Sequence, residues 1–328
     1  MKYIMVWPYG WFDSYMYKDV IDNHMVEPFC LNRPRHSKVL NLLKRVHHSY
    51  KINHIVPLPY KYVWDKDLIN YIDDDTCIMF DTGALSMLPM DFLNRIRKAN
   101  KNVKMVVIAM DSLHGSSEHI RKAIPNLLGF HWDVVLSYDK NDCQEYGFQF
   151  LGQGVYSKLN DVTPSTQKSD IYFVGRDKAG RNKEVFNLYE RLISAGIKTN
   201  FHLVSTNKAK HESRKGVTFT RKDIPYEDVI SEVLSTNCIL EMVSKGQHAQ
   251  TARYYEAVCY NKKLLTNNFA IMDLPFYNPN TMKCFKTVDD IDMKWVKKKE
   301  SINYHYNGEF SPSHILHKLN KIFTKKII

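Results

Sequence analysis

The sequence predicts an α/β chain made of two parallel-sheet domains, and three observations carry that expectation. Short apolar runs alternate with stretches whose apolar residues recur at helical spacing, in both halves of the chain. The apolar runs are continuous rather than alternating, as strands buried on both faces must be. A polar stretch without periodicity, Ser157–Ser169, carries Pro164 and separates the halves. The expected boundaries are residues 1–157, 158–310 and a closing segment, 311–328.

In the first half, Tyr3–Trp7 (YIMVW) reads as a buried strand stopped by Pro8 and Gly10. Val39–Val46 has apolar residues at 39, 40, 42, 43 and 46, which is helical spacing. Cys77–Phe80 is a strand ending at Asp81, and Phe92–Ala99 a helix. Val103–Met110 is a strand ending at Asp111, followed by a helix over Ile120–Leu128. Val134–Ser137 and Lys140–Tyr146 give one more strand and a short helix. In the second half, Asp170–Val174 is a strand, with Gly175 expected to turn the chain. A helix over Asn182–Ala195 and a strand over Thr199–Val204 follow. Pro225 suits a first helical turn and opens a helix through Leu234. Asn237–Met242 is a strand, Thr251–Tyr260 a helix and Lys263–Thr266 a strand. Such alternation makes parallel sheets, which bind ligands at the carboxyl ends of their strands. With two such domains the expected site is the cleft between them.

Composition narrows the class. Of 328 residues, 44% are apolar and 12% aromatic, a globular composition. No apolar run reaches the roughly 18 residues a membrane-spanning helix needs, and the N-terminal apolar stretch is too short for a signal peptide, so a cytoplasmic protein is expected. Six cysteines stand without a CxxC pair and read as reduced core thiols rather than metal ligands. Lys and Arg total 46 against 35 Asp and Glu, a net charge of +11. That excess suits nucleic acid, an anionic membrane or phosphorylated ligands, or serves solubility alone. The basic residues read as dispersed, apart from Lys297–Lys299 and the C-terminal lysines. Pro312–Ile328 is amphipathic. It reads as a helix closing back on the N-terminal domain, with an anionic membrane face as the other reading.

Two constellations carry chemistry. In Asp170–Arg181 (DIYFVGRDKAGR), Gly175 is followed by Arg176, Lys178 and Arg181 before a helix begins. Free N–H groups at a helix start suit a phosphate, and the cations add charge-assisted hydrogen bonds; a solvated basic turn is the other reading. In Glu241–Asn268, a strand delivers Glu241 to a loop with Lys245, Gly246, Gln247 and Gln250. Thr251 then caps a helix on which Arg253 and Glu256, three apart, are neighbours. This suits a diphosphate, with a carboxylate for ribose hydroxyls, or is an ordinary Arg–Glu surface pair.

VGRDKAGR, IPYEDVISEVLSTNCILEM and GQHAQTARYYEAVCYNKKLLTNN resemble the C-terminal halves of bacterial GT-B glycosyltransferases of capsular polysaccharide and lipopolysaccharide (O-antigen) biosynthesis. The matching residues are Gly175, Arg176, Asp177, Lys178, Gly180, Arg181, Gln247, Thr251, Arg253, Glu256, Lys262, Lys263, Thr266 and Asn267. Ala179 interrupts the usual DKGR, Ala249 and Gln250 replace a more usual Gly-Leu pair, and the E-x7-E motif is absent. The resemblance implies a GT-B fold, two Rossmann-like domains facing across a cleft. It implies a nucleotide-sugar donor on the C-terminal domain, with Gly175, Arg176, Lys178, Arg181, Gln247, Thr251 and Arg253 around its diphosphate and Glu256 on its ribose. It implies chemistry without a tightly bound metal or other cofactor. Asp73–Asp75 looks like a DxD motif but precedes a strand, and reads as a solvated turn.

The N-terminal domain is left to supply the acceptor and any base. Asp13 is expected in the loop after the first strand, and Asp81 and Asp111 end apolar runs, with His114 close behind the last. Asp13, Asp111 and His114 are the catalytic candidates. Trp7, Tyr9 and Trp11 are candidates for stacking an acceptor sugar, or else domain core. The expected function is hexosyl transfer to a glycan or lipid-linked oligosaccharide, on the inner membrane face if peripheral. A nucleic-acid-binding protein is the competing class, for which no motif is legible. A non-catalytic glycan-binding protein and a dinucleotide oxidoreductase are the others, the last opposed by the single glycine after the first strand.

Overall fold

The computed structural model describes residues 1–8, 11–31, 37–47, 52, 68–110, 112–114, 118–152, 154–176, 181–204, 214–243 and 250–325. The chain divides into two compact units, Met1–Ser157 with Phe310–Ile328, and Lys158–Glu309.

The first unit is a six-stranded sheet of β1 (Lys2–Trp7), β2 (Glu27–Cys30), β3 (Thr76–Asp81), β4 (Lys104–Ala109), β5 (Val134–Ser137) and β6 (Gln149–Phe150). Its order is β2-β1-β3-β4-β5-β6, and every pairing is parallel. The central strands are the continuous apolar runs. Ile4, Val6, Ile78, Phe80, Met105 and Val107 are buried with Phe92, Leu93 and Ile96 of the Met90–Ala99 helix. Each such side chain contributes about 1.5–3 kcal/mol by leaving water. The Lys140–Tyr146 helix starts where the Asp139 side chain accepts from Asn141 N at 2.7 Å, and stops at Gly147, whose φ of 70° suits glycine.

The second unit holds β7 (Ser169–Arg176), β8 (Thr199–Val204), β9 (Val217–Thr220), β10 (Thr236–Glu241), β11 (Lys263–Thr266) and β12 (Met282–Cys284). Their order is β12-β11-β10-β7-β8-β9, again all parallel. In each sheet the chain leaves its first strand, builds one side, and then crosses to build the other. The crossing leaves a switch point, between β1 and β3 in the first unit and between β7 and β10 in the second.

The Ser313–Lys325 helix belongs to the first unit. Its apolar residues Ile315, Leu316, Leu319 and Phe323 are all buried. Tyr3 Oη donates to Asn320 Oδ1 at 2.7 Å, and Lys318 donates to the Phe150 carbonyl. Asp19 ties down the returning chain, accepting from Ser157 Oγ at 2.6 Å and from Ser311 Oγ. No helix among the described residues is long and apolar enough to cross a membrane.

Three expectations are corrected. The chain around Trp11 and Asp13 is not a loop but a helix, Trp11–Met16. Gly175 does not turn the chain. It lies inside β7, paired with Leu203, and Arg176 continues the ladder opposite Val204. Strands β2, β6, β9 and β12 were not expected. They are short, and mostly partly or fully exposed, so none presents a continuous apolar run.

Candidate donor and acceptor sites

The switch point of the second sheet gathers the C-terminal constellation. β7 ends on Arg176 and β10 ends on Glu241. Arg176 is exposed and makes a bidentate ion pair with Asp223, both contacts at 2.9 Å. Glu241 is buried, and its two oxygens accept from the hydroxyls of Thr251 and Thr266. Burial raises its carboxyl pKa against those two bonds.

Thr251 caps the Ala252–Cys259 helix, its hydroxyl accepting from Arg253 N at 3.2 Å. One turn in, Arg253 meets Glu256 at 2.7 Å. Arg253 is only 14% exposed and Glu256 is fully buried, so this is an interior ion pair and not a surface one. Tyr226 Oη donates to Glu256 Oε1 at 2.7 Å. Glu256 Oε2 is buried with no hydrogen-bond partner among the described residues. Burial pushes the Glu256 carboxyl up to about 7, against the opposing pull of Arg253 and Tyr226.

The lysines and asparagine of KKLLTN hold the unit together. Lys262 Nζ donates to the Leu234 and Thr236 carbonyls at 2.8 Å each. Lys263 Nζ donates to the Trp295 carbonyl at 2.7 Å. Asn267 clasps Val243, accepting from its N–H at 2.7 Å and donating to its carbonyl at 3.1 Å. These bonds fix the start of the segment after β10. Lys178 and Gln247 lie outside the described residues, as does the Arg181 side chain.

In the first unit, β4 ends at Ala109 and His114 follows in a turn. His114 is about half exposed. Its Nε2 stands 3.1 Å from Glu145 Oε2 and 3.6 Å from Asp142 Oδ1. Asp142 is buried, its other oxygen accepting from Leu113 N at 2.9 Å. An imidazole beside two carboxylates is of a type suited to proton transfer. Asp81 is a cap, accepting from Ala84 N at 2.6 Å. The Asp73–Asp75 segment is a turn, with Asp73 accepting from Thr76 Oγ1 at 2.6 Å. Trp7 is buried beside Tyr17, ring centroids 6.0 Å apart, and so offers no face to a sugar. Asp111 and Tyr9 lie outside the described residues, as do the side chains of Trp11 and Asp13.

Sequence reasoning missed Tyr226, which donates to Glu256, and Asp142, whose buried Oδ1 stands 3.6 Å from His114 Nε2. A tyrosine in a first helical turn and an aspartate inside a short helix carry no chemical signature of their own.

Two parallel six-stranded sheets, each wound with helices about a switch point, give this chain the GT-B glycosyltransferase fold. It is similar to the apo form of the lipopolysaccharide outer core galactosyltransferase WaaB, at 14% identity and a TM-score of 0.51 over 99% of this chain and 100% of that one. It is also similar to an alpha,alpha-trehalose-phosphate synthase (UDP-forming) from Burkholderia vietnamiensis, at 10% identity and a TM-score of 0.50, over 99% and 96% of the two chains. At these identities the likeness is one of fold. No protein-family model and no curated protein sequence matches the chain.

Proposed function

We propose that the chain is a glycosyltransferase that moves a hexose-type sugar from a nucleoside-diphosphate donor to a hydroxyl of a surface-polysaccharide or lipopolysaccharide acceptor. The observation that carries the reading is the switch point between β7 and β10. There Arg176, Glu241 and the Thr251-capped helix converge, where sheets of this type bind phosphorylated ligands.

In this reading Arg176, Lys178, Arg181 and Arg253 balance the diphosphate. Gly175 lets the β7 backbone approach it, and Gln247 and Thr251 line the same end. Glu256 Oε2 is the acceptor oxygen left for the ribose hydroxyls. Because Glu256 is fully buried, the ribose reaches it only as the neighbouring chain yields. The acceptor oxygen forms its bond to the anomeric carbon while the bond to the diphosphate breaks. The guanidinium groups and helix N–H groups take up the charge on the departing diphosphate, without a bound metal. On an inverting course the acceptor proton passes to a base. Of Asp13, Asp111 and His114, His114 is the one whose side chain has described partners. On a retaining course the departing phosphate takes the proton. Tyr9 and Trp11 are the remaining stacking residues for the acceptor.

The test is to incubate the purified chain with a panel of nucleotide sugars and glycan acceptors, with and without a chelator, and follow nucleoside diphosphate release. Release with one sugar nucleotide, stimulated by acceptor and indifferent to chelator, supports the reading. No release above the spontaneous rate with any pair removes it.

A further inference from the structure

The Lys38–His47 helix is inside out. Its apolar stripe, Val39, Leu42, Leu43 and Val46, is set at helical spacing on one face. Val39 is 66% exposed, Leu42 63% and Leu43 44%. Its one buried described side chain is Lys44, at 5%, and Asn41 three residues before is half-buried. A helix that served only to close a domain would point its leucines inward. This one keeps Val39, Leu42 and Leu43 exposed on its outer face, with Val46 half-buried at its end and Leu40 beside them also exposed. Such a contiguous apolar face marks a surface that something else covers.

The charge of the sequence that carries it states what. Between residues 28 and 64 the sequence holds seven Lys and Arg and no Asp or Glu. More than half of the net charge of +11 therefore sits in this stretch. On the helix itself, Lys38 and Arg45 are both exposed and flank the stripe. An outward apolar stripe bordered by cations, in a segment without carboxylates, is complementary to an anionic lipid surface. The leucines enter the acyl boundary and the cations meet the headgroups. A protein partner would have to be both apolar and strongly acidic to match it as well.

We propose that the Lys38–His47 helix docks this chain on an anionic bilayer, through Val39, Leu42, Leu43 and Val46 with Lys38 and Arg45 at the rim. The amphipathic helix at the C-terminus cannot do so, because its apolar side is already buried in the first unit. The proposal stands independently of the transfer reaction.

The experiment is co-sedimentation of the full chain with vesicles of pure phosphatidylcholine and of equimolar phosphatidylcholine and phosphatidylglycerol, at low and high salt. The wild type should sediment with the anionic vesicles, weaken at high salt and leave the neutral ones alone. Each charge removed near such a surface lowers partitioning by about fivefold, so K38E with R45E should lower it by at least an order of magnitude. L42S with L43S should weaken it about tenfold or more. Circular dichroism checks that both pairs remain folded, as solvent-exposed substitutions should. Lys321→Glu, exposed on the C-terminal helix, should leave binding close to wild type. Three results overturn the proposal: no sedimentation with anionic vesicles at low salt, equal binding to neutral vesicles, or binding that neither pair reduces. Self-association in gel filtration that L42S with L43S abolishes would give the face to a second copy instead.

Discussion

Arg253 and Glu256 form a 2.7 Å ion pair one helical turn apart, with the carboxylate fully buried and its second oxygen without a hydrogen-bond partner among the described residues. An interior pair of this kind adds little net stability when intact but costs much when one member is lost. It holds a guanidinium and a carboxylate in place at the end of the sheet where we propose that the nucleotide binds.

Arg253→Met should therefore destabilise the chain by about 1–2 kcal/mol at pH 8 and by less at pH 5, because the buried carboxyl loses its counter-charge and must take up a proton. Arg253→Met combined with Glu256→Gln should recover part of that loss, because the pair acts as one unit. Denaturant unfolding of the single and double variants measures the difference. Equal losses in both would mean the two residues are not coupled.

The pH dependence has a definite sign. Glu256 titrates near 7 in the folded chain against an ordinary 4.5, so between those values the folded state holds more protons than the unfolded one. Its contribution to stability thus falls as pH rises through 4.5 to 7, by about 3 kcal/mol in all. Glu256→Gln removes this slope. Melting temperatures of wild type and variant should converge at pH 5 or favour the wild type there, and shift toward the variant at pH 8. A parallel pair of curves would show that Glu256 does not titrate in this window.

Asp81, a helix cap, and His114, the proposed base, should respond differently to substitution. Asp81→Ala removes a helix N-cap and should cost about 1 kcal/mol while leaving turnover close to wild type. His114→Ala removes a half-exposed side chain and should leave the melting temperature nearly unchanged. If transfer inverts, its turnover should drop by about 10²–10⁴-fold. Activity lost in Asp81→Ala but kept in His114→Ala would reverse the two assignments.

Leu319 and Leu42 are both leucines of amphipathic helices, and they should respond oppositely. Leu319 is buried, and Leu319→Ala should cost about 2–5 kcal/mol. Leu42 is exposed, and Leu42→Ala should change stability by no more than about 0.5 kcal/mol. Thermal melts compare them directly. A large loss in Leu42→Ala would mean that the face is covered within the chain itself.

Legibility in the sequence followed burial. β1, β3, β4, β7, β8 and β10 are central strands with apolar runs, and each is readable to within two residues. β2 contains Pro28 and is exposed in its first half, and β6 has two residues, so neither leaves a hydrophobic signal. Glycine commonly marks a turn, yet a strand also admits it, as Gly175 in β7 does. The Arg253–Glu256 adjacency followed from helical spacing alone. Its burial did not, because periodicity says nothing about what packs over a helix. The same limit hid the inverted Lys38–His47 helix: spacing gives an apolar face but not the direction in which it points. Its charge signal is legible only locally: the interval from 28 to 64 lacks carboxylates, while over the whole chain the basic residues read as dispersed.

The central claim is that the second unit binds a nucleoside diphosphate beside Arg253. Thermal unfolding in the presence of UDP, GDP, ADP, TDP or CMP, with and without Mg²⁺, tests it most directly, since a ligand that binds only the folded state must raise the melting temperature. The account predicts a rise with one nucleoside diphosphate and not with the monophosphate CMP, without need of Mg²⁺, that Arg253→Ala abolishes. No rise with any of them, or a rise that Arg253→Ala leaves intact, would contradict it.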